Sequence, residues 1–256
     1  MKIGILFICT GNYTIFWKDF YTSAEALLLP EHQKEYFVFT DAPSIEYEEA
    51  KNVHRFVEEK RTWPYSTLMR FHTFLKAERE LEEMDYVFFF NANMKIVSLV
   101  QGSDLLPDPQ KEDGLTVVLH SGYYKAALQQ LPYERKQTES TAFLPTGRYY
   151  FQGCLNGGTK DAYLKMVRQL KQNVQADLDK NIIAIWHDES HLNHYMADKN
   201  PKILSPAFAY PEGKNLDLTP VILMLDKSKH GGHQFMRGQK TGLFKKIKGM
   251  IKKITR

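Results

Sequence analysis

A chain of 256 residues with 43% hydrophobic and 25% charged side chains is long enough to bury a large core and too apolar to stay disordered. Its net charge of +4 is unevenly spread: positions 237–256 hold eight Lys/Arg and no acid, leaving 26 basic and 30 acidic side chains before them. The two cysteines, Cys9 and Cys154, have neither disulfide nor metal-ligand spacing, and no signal peptide or run of 18 apolar residues is present, so a reducing cytoplasm is expected.

In chain order, residues 3–9 read as a buried first strand ending in Thr10-Gly11-Asn12-Tyr13. That end is a place for a nucleotide base with Tyr13 stacking, or equally an ordinary turn with Phe16 and Phe20 packed inward. Residues 36–40 read as a strand and 65–84 as one helix. Residues 86–90, YVFFF, are an unbroken apolar run suited to a strand buried on both faces. The run stops at Asn91-Ala92-Asn93, where alternation points both amides off the strand's C-terminal end, the place where open α/β sheets bind ligands. Residues 101–113 read as a loop, and 115–119 as a strand.

Residues 149–154 form an aromatic strand leading through Gly153 to Gly157-Gly158. These glycines permit close approach of a ligand, or simply a tight strand-to-helix turn. A helix over 159–178 follows, with Thr159 as its N-cap. Next, 182–186 reads as a strand, and Asp188 as the cap of a helix starting at Glu189 whose buried stripe is Leu192, Tyr195 and Met196. A carboxylate in that first turn is favoured as the anion, suiting Glu189 to a nucleophile or charge-stabilising role. His187, Glu189, His191 and His194 also resemble zinc ligands, but His-x-Glu-x-His does not share one helix face. A capped surface helix with incidental histidines fits the spacing too. Residues 221–225 read as a last strand, followed by a break at 230–232. In 243–254, Leu243, Phe244, Ile247, Met250, Ile251 and Ile254 recur at helical spacing opposite lysines. That pattern describes an interfacial helix for an anionic membrane surface, and so complete an apolar stripe is not needed to bind nucleic acid. Strands interleaved with helices argue for an α/β protein with a mostly parallel twisted central sheet flanked by helices.

Eight stretches, in order, carry a resemblance to family 6 glycosyltransferases: YVFTD (37–41), WPYSTLMRF (63–71), FFNANMK (89–95), LHSGYY (119–124), PYERK (132–136), YYFQGCLNGG (149–158), WHDESHLNHY (186–195) and GGHQFMR (231–237). The resemblance implies a single-domain GT-A-type fold over 1–237, with 238–256 as a basic amphipathic tail. It implies a retaining hexosyltransferase acting by α-1,3 transfer from a UDP-sugar to a fucosylated galactoside, which could be lipid-linked, at the inner face of the cell membrane. Where most GT-A enzymes carry Asp-x-Asp for a divalent cation, Asn91 and Asn93 match the bacterial branch that works without metal. Two neutral amides do little to offset a cation's dehydration.

By the same resemblance Glu189 is the catalytic carboxylate. Cys9, Thr10, Tyr13, Arg70, Asn91, Asn93, Gln152, Gly153, Cys154 and Asp188 bind the donor, with Lys229, His233 and Arg237 at its diphosphate and Lys95 a weaker candidate. His120, Trp186, His187 and Glu189 meet the acceptor. HSGYY departs from the frequent HPGFY, which loosens the acceptor reading. Cys154, larger than the glycine of many N-acetylgalactosamine users, favours UDP-galactose, with UDP-N-acetylgalactosamine as the alternative. Rivals are a zinc hydrolase and a non-catalytic nucleotide-sugar binder.

Overall fold

The computed structural model describes residues 1–236. The strand β1 (Lys2–Ile8) leads to α1 (Trp17–Leu27), β2 (Gln33–Thr40) and β3 (Val53–Val57). Short helices α2 (Tyr65–Leu68), α3 (Arg70–Phe74) and α4 (Glu78–Leu81) precede β4 (Tyr86–Phe90), β5 (Met94–Ile96), α5 (Gly102–Leu105) and β6 (Leu115–Leu119). The remainder runs β7 (Phe151–Thr159), α6 (Lys160–Asp179), α7 (Asp188–Met196), β8 (Lys202–Leu204), β9 (Tyr210–Pro211), β10 (Ile222–Met224) and α8 (Gly232–Met236).

Seven strands form the central sheet in the order β3-β2-β1-β4-β7-β6-β8. All neighbours are parallel except β7, which pairs antiparallel with both β4 and β6. Successive residues alternate between two cores. Ile3, Ile5, Phe7, Phe88 and Phe90 face α1 and the small β5-β10-β9 sheet. Leu6, Val87 and Phe89 face the layer that includes α6 and α7. This two-sided burial is why β1 and β4 are continuous apolar runs rather than alternating ones.

The stretch expected as one helix over 65–84 is instead broken into α2, α3 and α4 with 3₁₀ winding at Leu75–Ala77. Its buried residues Leu68, Phe71, Phe74 and Ala77 recur every third position. A 3.6-residue helix would rotate that series off the core, whereas tighter winding keeps it aligned. The strand expected at 182–186 is absent. Those residues run as irregular chain, with side chains replacing ladder partners: Glu134 accepts from the Ile185 amide at 2.7 Å, and Gln137 donates to the Ile183 carbonyl at 2.7 Å. Ile185 and Trp186 are 41% and 45% exposed, and only Ile183 and Ala184 of this apolar run turn toward the core. Residues 222–224 do form a strand, but in the small sheet.

The glycines expected to receive a ligand lie within β7. A Cβ on Gly157 would sit 2.1 Å from the Phe88 ring, its cross-strand partner, so Gly157 admits a core aromatic. Thr159 is the N-cap residue of α6 by backbone, without a side-chain cap bond. The break at 230–232 appears as a turn in which Gly231 has φ 93°, a left-handed conformation suited to glycine. Among the described residues no helix is long and apolar enough to cross a membrane. The expected amphipathic tail at 238–256 lies outside the described residues, as does Arg237.

Candidate functional site

The C-terminal ends of β1 and β4 open at one edge of the sheet. Because β7 runs the other way, its N-terminal end arrives at the same edge, where the Asn91 amide donates to the Cys154 carbonyl at 2.8 Å. The first turn of α7 closes the far side. Together they enclose a cavity of about 470 Å³. Ten of the expected site residues line it: Thr10, Tyr13, Arg70, Asn91, Gln152, Gly153, Cys154, Trp186, His187 and Asp188, and Glu189 makes the eleventh.

Glu189 is anchored rather than free. Its Oε2 accepts from the Gly153 amide at 2.7 Å, and Asn193 fixes the helix behind it. The Asn193 side chain exchanges two hydrogen bonds with the Phe151 backbone and donates to the Glu189 carbonyl. Burial pushes the Glu189 carboxyl up to about 7, against the Gly153 hydrogen bond that lowers it. Desolvation is the largest influence on this carboxyl, in the direction opposite to the anion-favouring helix start expected from the sequence. Burial, and then the neighbouring Glu189 carboxylate, push the Tyr150 hydroxyl well above its usual range.

Asp188 does not cap α7. The N-cap is His187, at φ 55° and ψ −125°, and the Glu189 amide bonds back to the Trp186 carbonyl at 3.1 Å. This is the glycine-favoured first position of a type II′ turn, held by a histidine against local strain. Asp188, in the first helical turn, pairs with Arg70 at 3.0 Å, both side chains being under 10% exposed. Arg70 also donates to the Gly153 carbonyl and lies 4.5 Å above the Phe89 ring. One guanidinium therefore ties α3, β4, β7 and α7 together. Burial raises the Asp188 carboxyl while Arg70 lowers it.

The two amides have separate fates. Asn91 lines the cavity, whereas Asn93 is 3% exposed. Asn93 Oδ1 accepts from Asn91 Nδ2 at 2.7 Å, and its own Nδ2 donates to the Leu225 carbonyl at 2.8 Å. Gln152 donates to the Met224 thioether at 3.2 Å, and its buried carbonyl oxygen meets no hydrogen-bond partner among the described residues. Cys154 is 5% exposed, its thiol pushed well above the usual range by burial. Cys9 is wholly buried with its thiol raised to about 12, and meets the site only through the strand end it occupies.

His120 stands behind Tyr150, ring centroids 5.8 Å apart, rather than on the cavity wall. Its Nδ1 accepts from the Gly122 amide at 3.0 Å, and burial lowers its pKa to about 4. The ring is therefore neutral at pH 7 and carries its proton on Nε2. Lys229 pairs with Glu212 at 2.6 Å and lines neither cavity, and Lys95 pairs with Asp19. Lys227 lines the cavity instead, 5.4 Å above the Tyr13 ring. Lys227 and Lys229 share one 3₁₀ turn, on which residues two apart face different ways, so local pattern alone does not choose between them. His233 lines a smaller adjoining cavity of about 250 Å³. Trp63, in T-shaped contact with His187 at 5.0 Å, and Met224 also line the cavity; both lie in stretches singled out from the sequence, but neither was expected to face the site.

The histidines that suggested zinc do not converge. His191 is fully buried beside Asp177 at 3.7 Å, and His194 bonds the Phe143 carbonyl. Among the described residues no three His, Cys, Asp or Glu side chains are grouped to hold a metal ion.

Residues 1–232 match the glycosyltransferase family 6 model. The chain is 39% identical to the O-antigen biosynthesis glycosyltransferase WbnI of Escherichia coli over 233 residues, 90% of this chain and 96% of that one. It is 30% identical to human globoside alpha-1,3-N-acetylgalactosaminyltransferase 1 over 224 residues, 84% of this chain and 62% of that protein. A rat histo-blood group ABO system transferase 2 matches at 28% over 220 residues, 82% of this chain and 64% of the relative. The chain belongs to glycosyltransferase family 6, and is a hexosyltransferase with a GT-A-like α/β fold.

Proposed function

We propose that the chain is a retaining, metal-independent α-1,3-galactosyltransferase that moves galactose from UDP-galactose to a fucosylated galactoside. The observation that carries this reading is Glu189, fixed by the Gly153 amide at the wall of a cavity whose other side is formed by the strand ends of β1 and β4. A sugar lying between Gln152, Cys154 and Glu189 presents its anomeric carbon to that carboxylate. Glu189 then attacks C1 or stabilises the positive charge that develops there as the UDP leaves, and the acceptor hydroxyl adds to the same face. His120, through Nε2–H, and the exposed Trp63 and Trp186 rings suit the acceptor glycan.

Metal independence is supported by the amide pair. Both oxygen ligands that an Asp-x-Asp motif would offer are altered, and the Asn93 oxygen is already taken by Asn91. Charge on the departing diphosphate falls to fixed cations instead; one at about 4 Å contributes about 4 kcal/mol at an effective dielectric of 20. Lys227 suits this role, His233 offers a ring N–H to the phosphate oxygens, and Arg237 lies four positions further along the chain. The galactose reading rests on Cys154 occupying wall space beside Gln152. The second reading, N-acetylgalactosamine, is favoured by the name of the human relative. The basic stretch at 238–256 supports attachment to the cytoplasmic face of an anionic membrane, where a lipid-linked acceptor is reached.

A donor screen with and without EDTA, on fucosylated and plain galactosides, tests the proposal. Transfer from UDP-galactose, undiminished by EDTA and dependent on the fucose, is expected. A strict Mn²⁺ requirement overturns the metal reading, and preference for UDP-N-acetylgalactosamine overturns the donor.

A further inference from the structure

The smaller cavity, about 250 Å³, adjoins the larger one through shared Thr10 and Tyr13 and is walled by three distant segments of chain. Four of its lining side chains are Lys60, Arg61, Lys227 and His233, and none is a carboxylate. A chamber lined by basic side chains and no carboxylate presents a positive potential that favours an anion. Arg61 is already paired with the buried Glu58, which Lys76 also meets at 3.0 Å. Lys60 makes no hydrogen bond or ion pair among the described residues.

The loop between β3 and α2 carries Lys60 across the end of β1. A Cβ placed on Gly11 would lie 3.0 Å from Lys60 Cε and 3.2 Å from its Nζ. Gly11 sits at φ 60°, with its amide held by Asp41 Oδ1 at 2.6 Å. The turn after β1 is thus shaped so that the lysine stem passes over it. The opposite wall is brought in by α8, since Asn12 Nδ2 donates to the Phe235 carbonyl at 2.8 Å.

We propose that Lys60 is a donor-binding residue that grips the diphosphate of the nucleotide sugar within this chamber, facing Lys227 and His233 across it. The ligand chemistry is that of a nucleoside diphosphate, and the assignment rests on the nucleotide-sugar reading above. Lys60 arrives from the β3–α2 loop, whereas the other two arrive from the C-terminal segment. The diphosphate then joins the β3–α2 loop to the C-terminal segment.

Calorimetric titration of the full chain with UDP and with uridine, without added metal, tests this on wild type, Lys60→Met and Lys60→Arg. Lys60→Met keeps the stem over Gly11 and removes only the charge. Its Kd for UDP should rise about tenfold, the loss of about 1.4 kcal/mol, while its Kd for uridine stays within about twofold. Lys60→Arg should recover most of the UDP affinity. Unchanged UDP affinity in Lys60→Met overturns the assignment. Equal weakening of uridine also overturns it, since that marks a role in folding the loop. Should wild type itself fail to bind UDP, the nucleotide-sugar reading falls first, a result distinct from the other two.

Discussion

The Gly153 amide donates to Glu189 Oε2 at 2.7 Å, tying the first turn of α7 to the antiparallel strand β7. The bond holds the carboxyl in place without making it a strong acid, because burial still pushes it up to about 7. The free enzyme's kcat/KM should therefore fall about tenfold per pH unit below about 7 and level off above it, if the anion faces the anomeric carbon. A profile flat from pH 5 to 8 removes Glu189 from the chemistry.

Stability should move the opposite way. A carboxyl raised from 4.5 to about 7 binds its proton more tightly in the folded state. Its contribution is present below about pH 4.5 and lost as pH rises through about 7, a swing of up to about 3 kcal/mol. Glu189→Gln should cut transfer by roughly 10²–10³ and yet raise Tm at pH 8, with donor binding kept. Thermal unfolding at pH 5 and pH 8 checks the sign: the gain belongs to the higher pH.

Arg70 and Asp188 form a buried pair at 3.0 Å. Arg70→Met leaves an unpaired buried carboxylate and should cost about 3–5 kcal/mol in urea unfolding. Adding Asp188→Asn should return part of that loss. Arg70→Lys should fail to rescue, since an ammonium cannot meet Asp188, the Gly153 carbonyl and the Phe89 face at once.

Asn93→Asp should destabilise the protein rather than create a cation site. The amide nitrogen that donates to the Leu225 carbonyl becomes an oxygen facing an oxygen, a loss of about 1–3 kcal/mol for the unsatisfied pair. Unfolding measured with and without Mn²⁺ decides it; strong Mn²⁺ stabilisation of the variant is the contrary result.

Cys154→Gly should enlarge the sugar pocket beside Gln152. Relative kcat/KM for UDP-N-acetylgalactosamine over UDP-galactose should rise at least severalfold, since a group of this size is worth about 1–3 kcal/mol of discrimination. Total activity can fall as β7 loosens; the ratio is the quantity to measure. No change in the ratio places the acetamido group elsewhere.

The strands were readable because their residues are hydrophobic on two faces at once. YVFFF and LTVVL fall in β4 and β6 at their expected bounds, and eleven of the expected site residues meet in one cavity. Motif residues sit at strand ends and helix starts, so local pattern and chain direction place them. Three things lay beyond local pattern. The apolar run 182–186 became irregular chain because Glu134 and Gln137, some fifty positions earlier, supply its hydrogen bonds. The helix at 65–84 broke because its core spacing is three, and only packing against the sheet makes that spacing matter. Glu189's proton affinity and the choice of Lys227 over Lys229 depend on what surrounds each group in space. Sequence fixes which chemical groups are available and their order along a strand or helix. Burial and charge environment are sums over neighbours from distant positions, so only the folded chain decides them.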